Sequence, residues 1–269
     1  MRTIIWFLYF WCYLVAVLPL MHQCKKLTAQ GRVAESDAKM RKAVRNWARR
    51  LLKLAGVKVE ISGLENIPQG PVVYVGNHQG NFDVPLMLAY LREPCGLLAK
   101  EELAKVPMIK TWMKLLHCVF VERGNPTQSV AALKEAAGLL RQGYSMVIFP
   151  EGTRSKTGQL GKLKSGAFAV ASQAGADILP CRIIYDTPDA RMHLFCRMRI
   201  CFGDPISTAG AASDDPRRQV RALRTLRTRL TDELEALYAA HHFDRPEQAL
   251  PAADPDPVEK GENHADPAC

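Results

Sequence analysis

From its amino end, the chain runs through one long apolar block and then alternates short apolar runs with longer amphipathic ones. Residues 3–24 hold no charged side chain, and nearly all of residues 4–21 are apolar. About 20 such residues cross a bilayer as a helix, so the block predicts an uncleaved membrane anchor. Trp6, Tyr9, Trp11 and Tyr13 are of the type that favours membrane interfaces. A cleaved signal peptide is the rival reading, but the run is long for one and only Arg2 supplies a basic start. Pro19 also permits a bent segment lying in one leaflet. Residues 36–54 predict an amphipathic helix, because Met40, Val44, Trp47, Leu51 and Leu54 recur at three- and four-residue steps among Arg and Lys. Its basic face is either solvated on a docked helix or laid on anionic headgroups.

Beyond Gly56 the period changes. Residues 57–61, 71–75, 96–100, 118–121, 144–149, 177–186 and 193–203 predict strands. Helical patterns fall over 84–91, up to 116 with a break near Pro107, and over 127–141, 167–174 and 216–241. Such alternation predicts an α/β fold, a mainly parallel mixed sheet flanked by helices on both faces. Sites in these sheets collect beyond the carboxyl ends of strands. The predicted organisation is an anchor (1–24), a basic amphipathic segment (25–56), the α/β domain (57–242) and an acidic tail (243–269) whose Pro, Ala, Asp and Glu content reads as disordered.

Charge sharpens this picture. The net charge is +9, yet the tail carries −5, which leaves +14 on the first 242 residues. Anionic lipid or a phosphorylated substrate fits such a body. Nucleic acid does not, since no base-stacking aromatics interleave with the basic residues. Lys25, Lys26, Arg32, Lys39, Arg41 and Lys42 follow the apolar block, so the positive-inside rule puts the downstream domain on the cytoplasmic face. The eight cysteines form no C-x-x-C pair and no metal-ligand spacing with His, so no metal is expected. No Ser sits in a G-x-S-x-G elbow.

Candidate chemistry lies where the strand at 71–75 meets the helix at 84–91. His78 leaves the strand, Gly80 lets the chain turn, and Asp83 stands as the expected N-cap. On one helix, residues five apart would point about 140° from each other. A strand–turn–helix corner can instead join the two side chains, so that the carboxylate fixes the imidazole tautomer and the second nitrogen takes a proton. Taken alone, Asp83 could be only a cap and His78 only a polar loop residue.

A second block, Phe149-Pro150-Glu151-Gly152-Thr153-Arg154, follows another buried strand about 70 residues later. With Asn77, His78 and Asp83 it resembles the glycerolipid acyltransferases of the 1-acylglycerol-3-phosphate (lysophosphatidate) type. Val119-Phe120-Val121-Glu122-Arg123 and Ile178-Leu179-Pro180 resemble two weaker family blocks, although Glu122 stands where aspartate is commoner. The resemblance covers roughly residues 55–210.

It implies His78 as general base with Asp83 orienting it, and Arg123 and Arg154 on the acceptor phosphate. Glu151, Gly152 and Thr153 would shape the glycerol pocket, with Lys100 and Lys164 as further substrate-binding cations. It implies acyl transfer from acyl-CoA or acyl carrier protein as co-substrate, with no cofactor, and membrane lipids as partners. Rival readings are a sister enzyme using another lysophospholipid, glycerol 3-phosphate or an amine-bearing lipid, a thioesterase-like hydrolase, and a non-catalytic lipid-binding protein.

Overall fold

The computed structural model describes residues 2–92, 95–122, 124–155, 157–187, 194–213 and 215–243. The predicted tail beyond Phe243, Arg123 and the start of the strand expected from residue 193 lie outside these residues. Strands β1 (Lys58–Ser62), β2 (Val72–Gly76), β3 (Gly96–Lys100), β4 (Val119–Val121), β5 (Met146–Ile148), β6 (Asp177–Tyr185) and β7 (Arg197–Phe202) form one sheet. Its order is β1-β7-β6-β2-β5-β3-β4. All neighbours run parallel except β6 and β7. The expected mainly parallel mixed sheet is therefore present, and its order sets the ends of β2 and β5 side by side.

Alternate residues along the strands feed two cores. Val72 and Tyr74 of β2 face helices α1 (Arg2–Ala16), α2 (Leu18–Ala29), α3 (Val33–Leu54), α4 (Asp83–Tyr90) and α5 (Pro107–Leu115). Val73 and Val75 face α6 (Pro126–Arg141), α7 (Gly166–Ala174) and α8 (Pro216–His241). This is the period of two expected of a strand covered on both faces. Pro107 opens α5 after a short 3-10 turn at Glu101–Lys105, as the break in the pattern predicted.

The apolar block at the amino end is not one rod. It bends by 45° between residues 3–16 and 18–29. Among the described residues no single helix is long and apolar enough to cross a membrane, although this bent pair could by length and composition. One side of α1 joins the core: Trp6 and Leu14 are buried, and the Trp6 indole N–H donates to the Leu51 carbonyl at 3.1 Å. The other side leaves Ile4, Leu8, Trp11 and Val15 exposed.

α3 lies docked on the domain, with Met40, Ala48, Leu51 and Leu52 buried. Two of its arginines have structural work. Arg49 donates to the Ala89 carbonyl at 3.2 Å and Arg45 to that of Leu91 at 3.3 Å, so cations meet the carboxyl end of α4. At its amino end Asp37 accepts from Tyr144 at 3.0 Å and pairs with His117 at 2.9 Å.

Candidate active site

Past the end of β2, the chain continues the ladder with a side chain. The Asn77 amide donates to the Ile183 carbonyl at 2.9 Å and accepts the Ile183 N–H at 2.7 Å. That double bond fixes the backbone one residue before His78. The imidazole then reaches Asp83, with Nδ1 2.6 Å from Oδ2. Its Nδ1 is thereby engaged and Nε2 is the nitrogen left over. Phe149, arriving from β5, stacks on the ring at 4.5 Å between centroids.

Asp83 is not the helix cap that the sequence suggested. Phe82 holds that position, and Asp83 is the first residue of α4. Its carboxylate turns back on the preceding loop and accepts the N–H of Gln79 at 2.7 Å and of Gly80 at 2.9 Å. From β6, the Tyr185 hydroxyl donates to Oδ1 at 2.5 Å. The carboxylate is wholly buried and bonded to four donors, the condition under which a buried charge is tolerated. Gly80 is required by this packing, since a Cβ there would stand 2.6 Å from the Tyr185 oxygen.

The second motif braces the first. Glu151 Oε1 accepts the His78 N–H at 2.8 Å, and Oε2 accepts that of Gly161 at 2.9 Å. The His78 carbonyl accepts from Ser155 N–H at 2.7 Å. Burial pushes the Glu151 carboxyl above the usual range, opposed by the two N–H bonds and the nearby charges of His78 and Arg182. The Glu151 carboxylate, expected to help shape a glycerol pocket, lies beneath the corner and ties the two loops together. Gly152 adopts φ +73°, and the Lys164 ammonium packs where a Cβ would project.

Beside this corner opens a cavity of about 710 Å³. Phe10 and Leu14 of α1, Trp47 of α3, Leu88 of α4 and Trp112 of α5 form its apolar walls. His78, Lys100, Gly152, Thr153 and Arg154 also line it. Thr153 and Arg154 are exposed, and Lys100 is half exposed, 3.9 Å from Glu102. Most of the expected site residues thus converge on one opening. Ile178, Leu179 and Pro180 do not: they lie buried in β6, outside the lining. Arg123 lies beyond the described residues, though the strand leading to it ends with Val121 in register with Lys100.

Sequence reasoning missed the partners from β6. Tyr185 and Ile183 are over 100 residues from the groups they bind, and nothing local in the sequence marks them. Arg182, fully buried with its guanidinium 4.7 Å from the Tyr238 ring centroid, was equally unmarked.

A buried carboxylate beside an imidazole at a strand end, opening on an apolar chamber, is an arrangement that can move a proton next to an apolar ligand. Residues 58–184 match the family model described as Acyltransferase.

More particularly, the chain is similar to 1-acyl-sn-glycerol-3-phosphate acyltransferases. It is 38% identical over 137 residues to a probable one from Mycoplasma pneumoniae, covering 49% of this chain and 52% of that protein. It is 36% identical over 148 residues to one from Pseudomonas aeruginosa, covering 53% and 57%. The chain spans about half the length of these curated relatives. Its fold matches the crystal structure of the 1-acyl-sn-glycerophosphate acyltransferase from Thermotoga maritima with a TM-score of 0.62 and 25% identity, over 88% of this chain and 98% of that one.

Proposed function

We propose that the protein moves a fatty acyl group from acyl-CoA or acyl carrier protein to the 2-hydroxyl of a 1-acylglycerol 3-phosphate, making phosphatidate for phospholipid biosynthesis. The observation that carries this reading is the His78–Asp83 pair at the mouth of the apolar cavity, with Nδ1 tied 2.6 Å from the carboxylate. His78 Nε2 takes the hydroxyl proton as the oxygen attacks the thioester carbon. The carbon–sulfur bond then breaks, and the thiol leaves with the proton returned from the imidazolium. Asp83 fixes the tautomer and balances the imidazolium charge.

The N–H groups of Gln79 and Gly80 are already engaged on Asp83, so charge on the carbonyl oxygen must be met by other donors at the opening. Arg154, with Lys100 and Arg123, supplies cations for the acceptor phosphate, and arginine's planar fork suits that group. Lys164 and Glu151 support the Gly152 loop and the corner. The cavity receives the acyl chain, and thioester and lipid react without a further cofactor.

The exposed apolar side of α1 is read as lying in the membrane, as a single-pass or monotopic anchor with the catalytic domain on the cytoplasmic face. Purified protein in detergent, given acyl-CoA and lysophosphatidate, should form phosphatidate and free thiol in equal amounts, and His78→Ala should lower that rate by about 10²–10⁴-fold. Thiol release without phosphatidate would replace this reading with a hydrolase, and full activity in His78→Ala would remove the proposed base.

A further inference from the structure

The carboxylate of the pair has a further partner, supplied from the strand beside β2. Tyr185, the last residue of β6, is 5% exposed and donates its hydroxyl to Asp83 Oδ1 at 2.5 Å. Oδ2, by contrast, holds His78 and the two loop N–H groups. The carboxylate is therefore divided: one oxygen serves the loop and the imidazole, the other serves Tyr185. Gly80 leaves the space that lets the phenol approach.

We propose that Tyr185 is a positioning residue whose hydroxyl shares the Asp83 charge and so sets how firmly His78 holds its proton. A carboxylate beside an imidazole favours the charged ring, and a donor on the same carboxylate disperses the charge and weakens that pull. Without the hydroxyl, His78 would keep its proton to higher pH and be a base for a smaller part of the working range. Burial and the Asp83 charge hold the Tyr185 phenol itself well above its usual value, so it remains a donor throughout.

Other charged or titratable groups stand around the pair, Lys100 lining the same cavity among them. Glu151 lies on the loop after β5, Arg182 on the opposite face of β6 and Arg154 beside the opening. Cys196, before β7, stays a neutral thiol because burial pushes it to about 12. These groups are common to the wild type and a Tyr185 variant, so their share of any pH profile cancels in the difference.

The inference rests on the proposed general-base reading, and its test has one arm that needs no turnover. Histidine ring NMR would follow His78 titration in the full-length wild type and in Tyr185→Phe, with His78→Ala assigning the signal. The His78 midpoint should rise by about half to one pH unit, because hydrogen bonding to a carboxylate shifts the balance of charged states on that scale. The acid limb of kcat/KM for lysophosphatidate acylation should rise by the same amount, lowering activity roughly 3- to 10-fold below the limb and little above it.

Should Tyr185→Phe fail to fold, 3,5-difluorotyrosine at position 185 gives the second measurement. Its more acidic hydroxyl donates more strongly, so the midpoint should move down. An unmoved His78 titration, with activity lowered equally at all pH values or only the melting temperature lowered, overturns the proposal and leaves Tyr185 a packing residue. Absence of lysophosphatidate acylation in the wild type would instead refute the function, with the NMR arm still deciding the Tyr185–Asp83–His78 coupling.

Discussion

Replacing Asp83 by Asn separates the chemistry of the corner from its architecture. The carboxylate accepts from His78, Gln79, Gly80 and Tyr185. An Asn carbonyl placed at the Oδ2 position can still accept from that side, but without the negative charge each of those three bonds is weaker. The new NH₂ would face Tyr185, whose oxygen can turn to accept while its buried O–H loses its partner.

Bonds to a charged group are worth about 1.5–3 kcal/mol and neutral ones about 0.5–1.5, so the variant should lose roughly 2–4 kcal/mol of stability. A domain with about 5–15 kcal/mol in hand survives that loss. The imidazolium formed during transfer also loses its counter-charge, and the rate should fall by about 10²–10⁴-fold, or about 3–5 kcal/mol of barrier. Thiol release dependent on lysophosphatidate, alongside urea unfolding, reads both quantities on one preparation. Activity within about threefold of wild type in the folded fraction would refute the dyad and leave Asp83 an architectural residue.

Three further outcomes follow from the same geometry. Arg154→Ala should cost about 10- to 100-fold in kcat/KM with lysophosphatidate and little with monoacylglycerol, since a charge-assisted contact to phosphate is at stake; equal losses with both acceptors would move Arg154 to the donor side. Burial raises the Glu151 carboxyl, so ionising it costs nothing below the unfolded carboxylate value near about 4.3, and the cost grows as pH rises from there through the folded value. Relative to Glu151→Gln, wild type should therefore lose stability across that window, and a pH-independent difference in unfolding free energy would show that Glu151 is not strained by burial. Deleting residues 2–24 removes Trp6 and Leu14 from the core and unroofs the cavity, so acyl transfer should drop by more than about tenfold even where the remainder still binds anionic vesicles; undiminished transfer would show that α1 is no part of the pocket.

Period and punctuation made much of the architecture legible. β3 and α8 fall on the residues predicted for them, and the Pro107 break lies where a proline must interrupt a helix. The two sequence blocks that hold His78, Asp83 and the Gly152–Arg154 loop lie side by side in the fold. What the sequence withheld was direction. A carboxylate at a helix start can serve that helix or turn back to the loop before it, and only the competing donors, one of them from β6, decided for the loop. The arginines of α3 were likewise read as a solvated or lipid-facing stripe. Two of them instead close the end of α4, a choice made by which helix packs alongside.

The two-sided nature of α1 has a kinetic meaning. Each methylene moved from hydrocarbon into water costs about 0.8 kcal/mol, so a chain of about sixteen carbons crossing open water would face a barrier of more than about 10 kcal/mol. A helix with Phe10 and Leu14 turned to the chamber and Ile4, Leu8 and Trp11 turned outward gives the chain an apolar boundary on both sides of one thin partition. With the outer side in lipid, an acyl tail can pass along that partition and exchange one hydrocarbon surrounding for another. Substrate capture would then be governed by how the helix sits in the leaflet, and the aqueous concentration of lipid would hardly enter the rate.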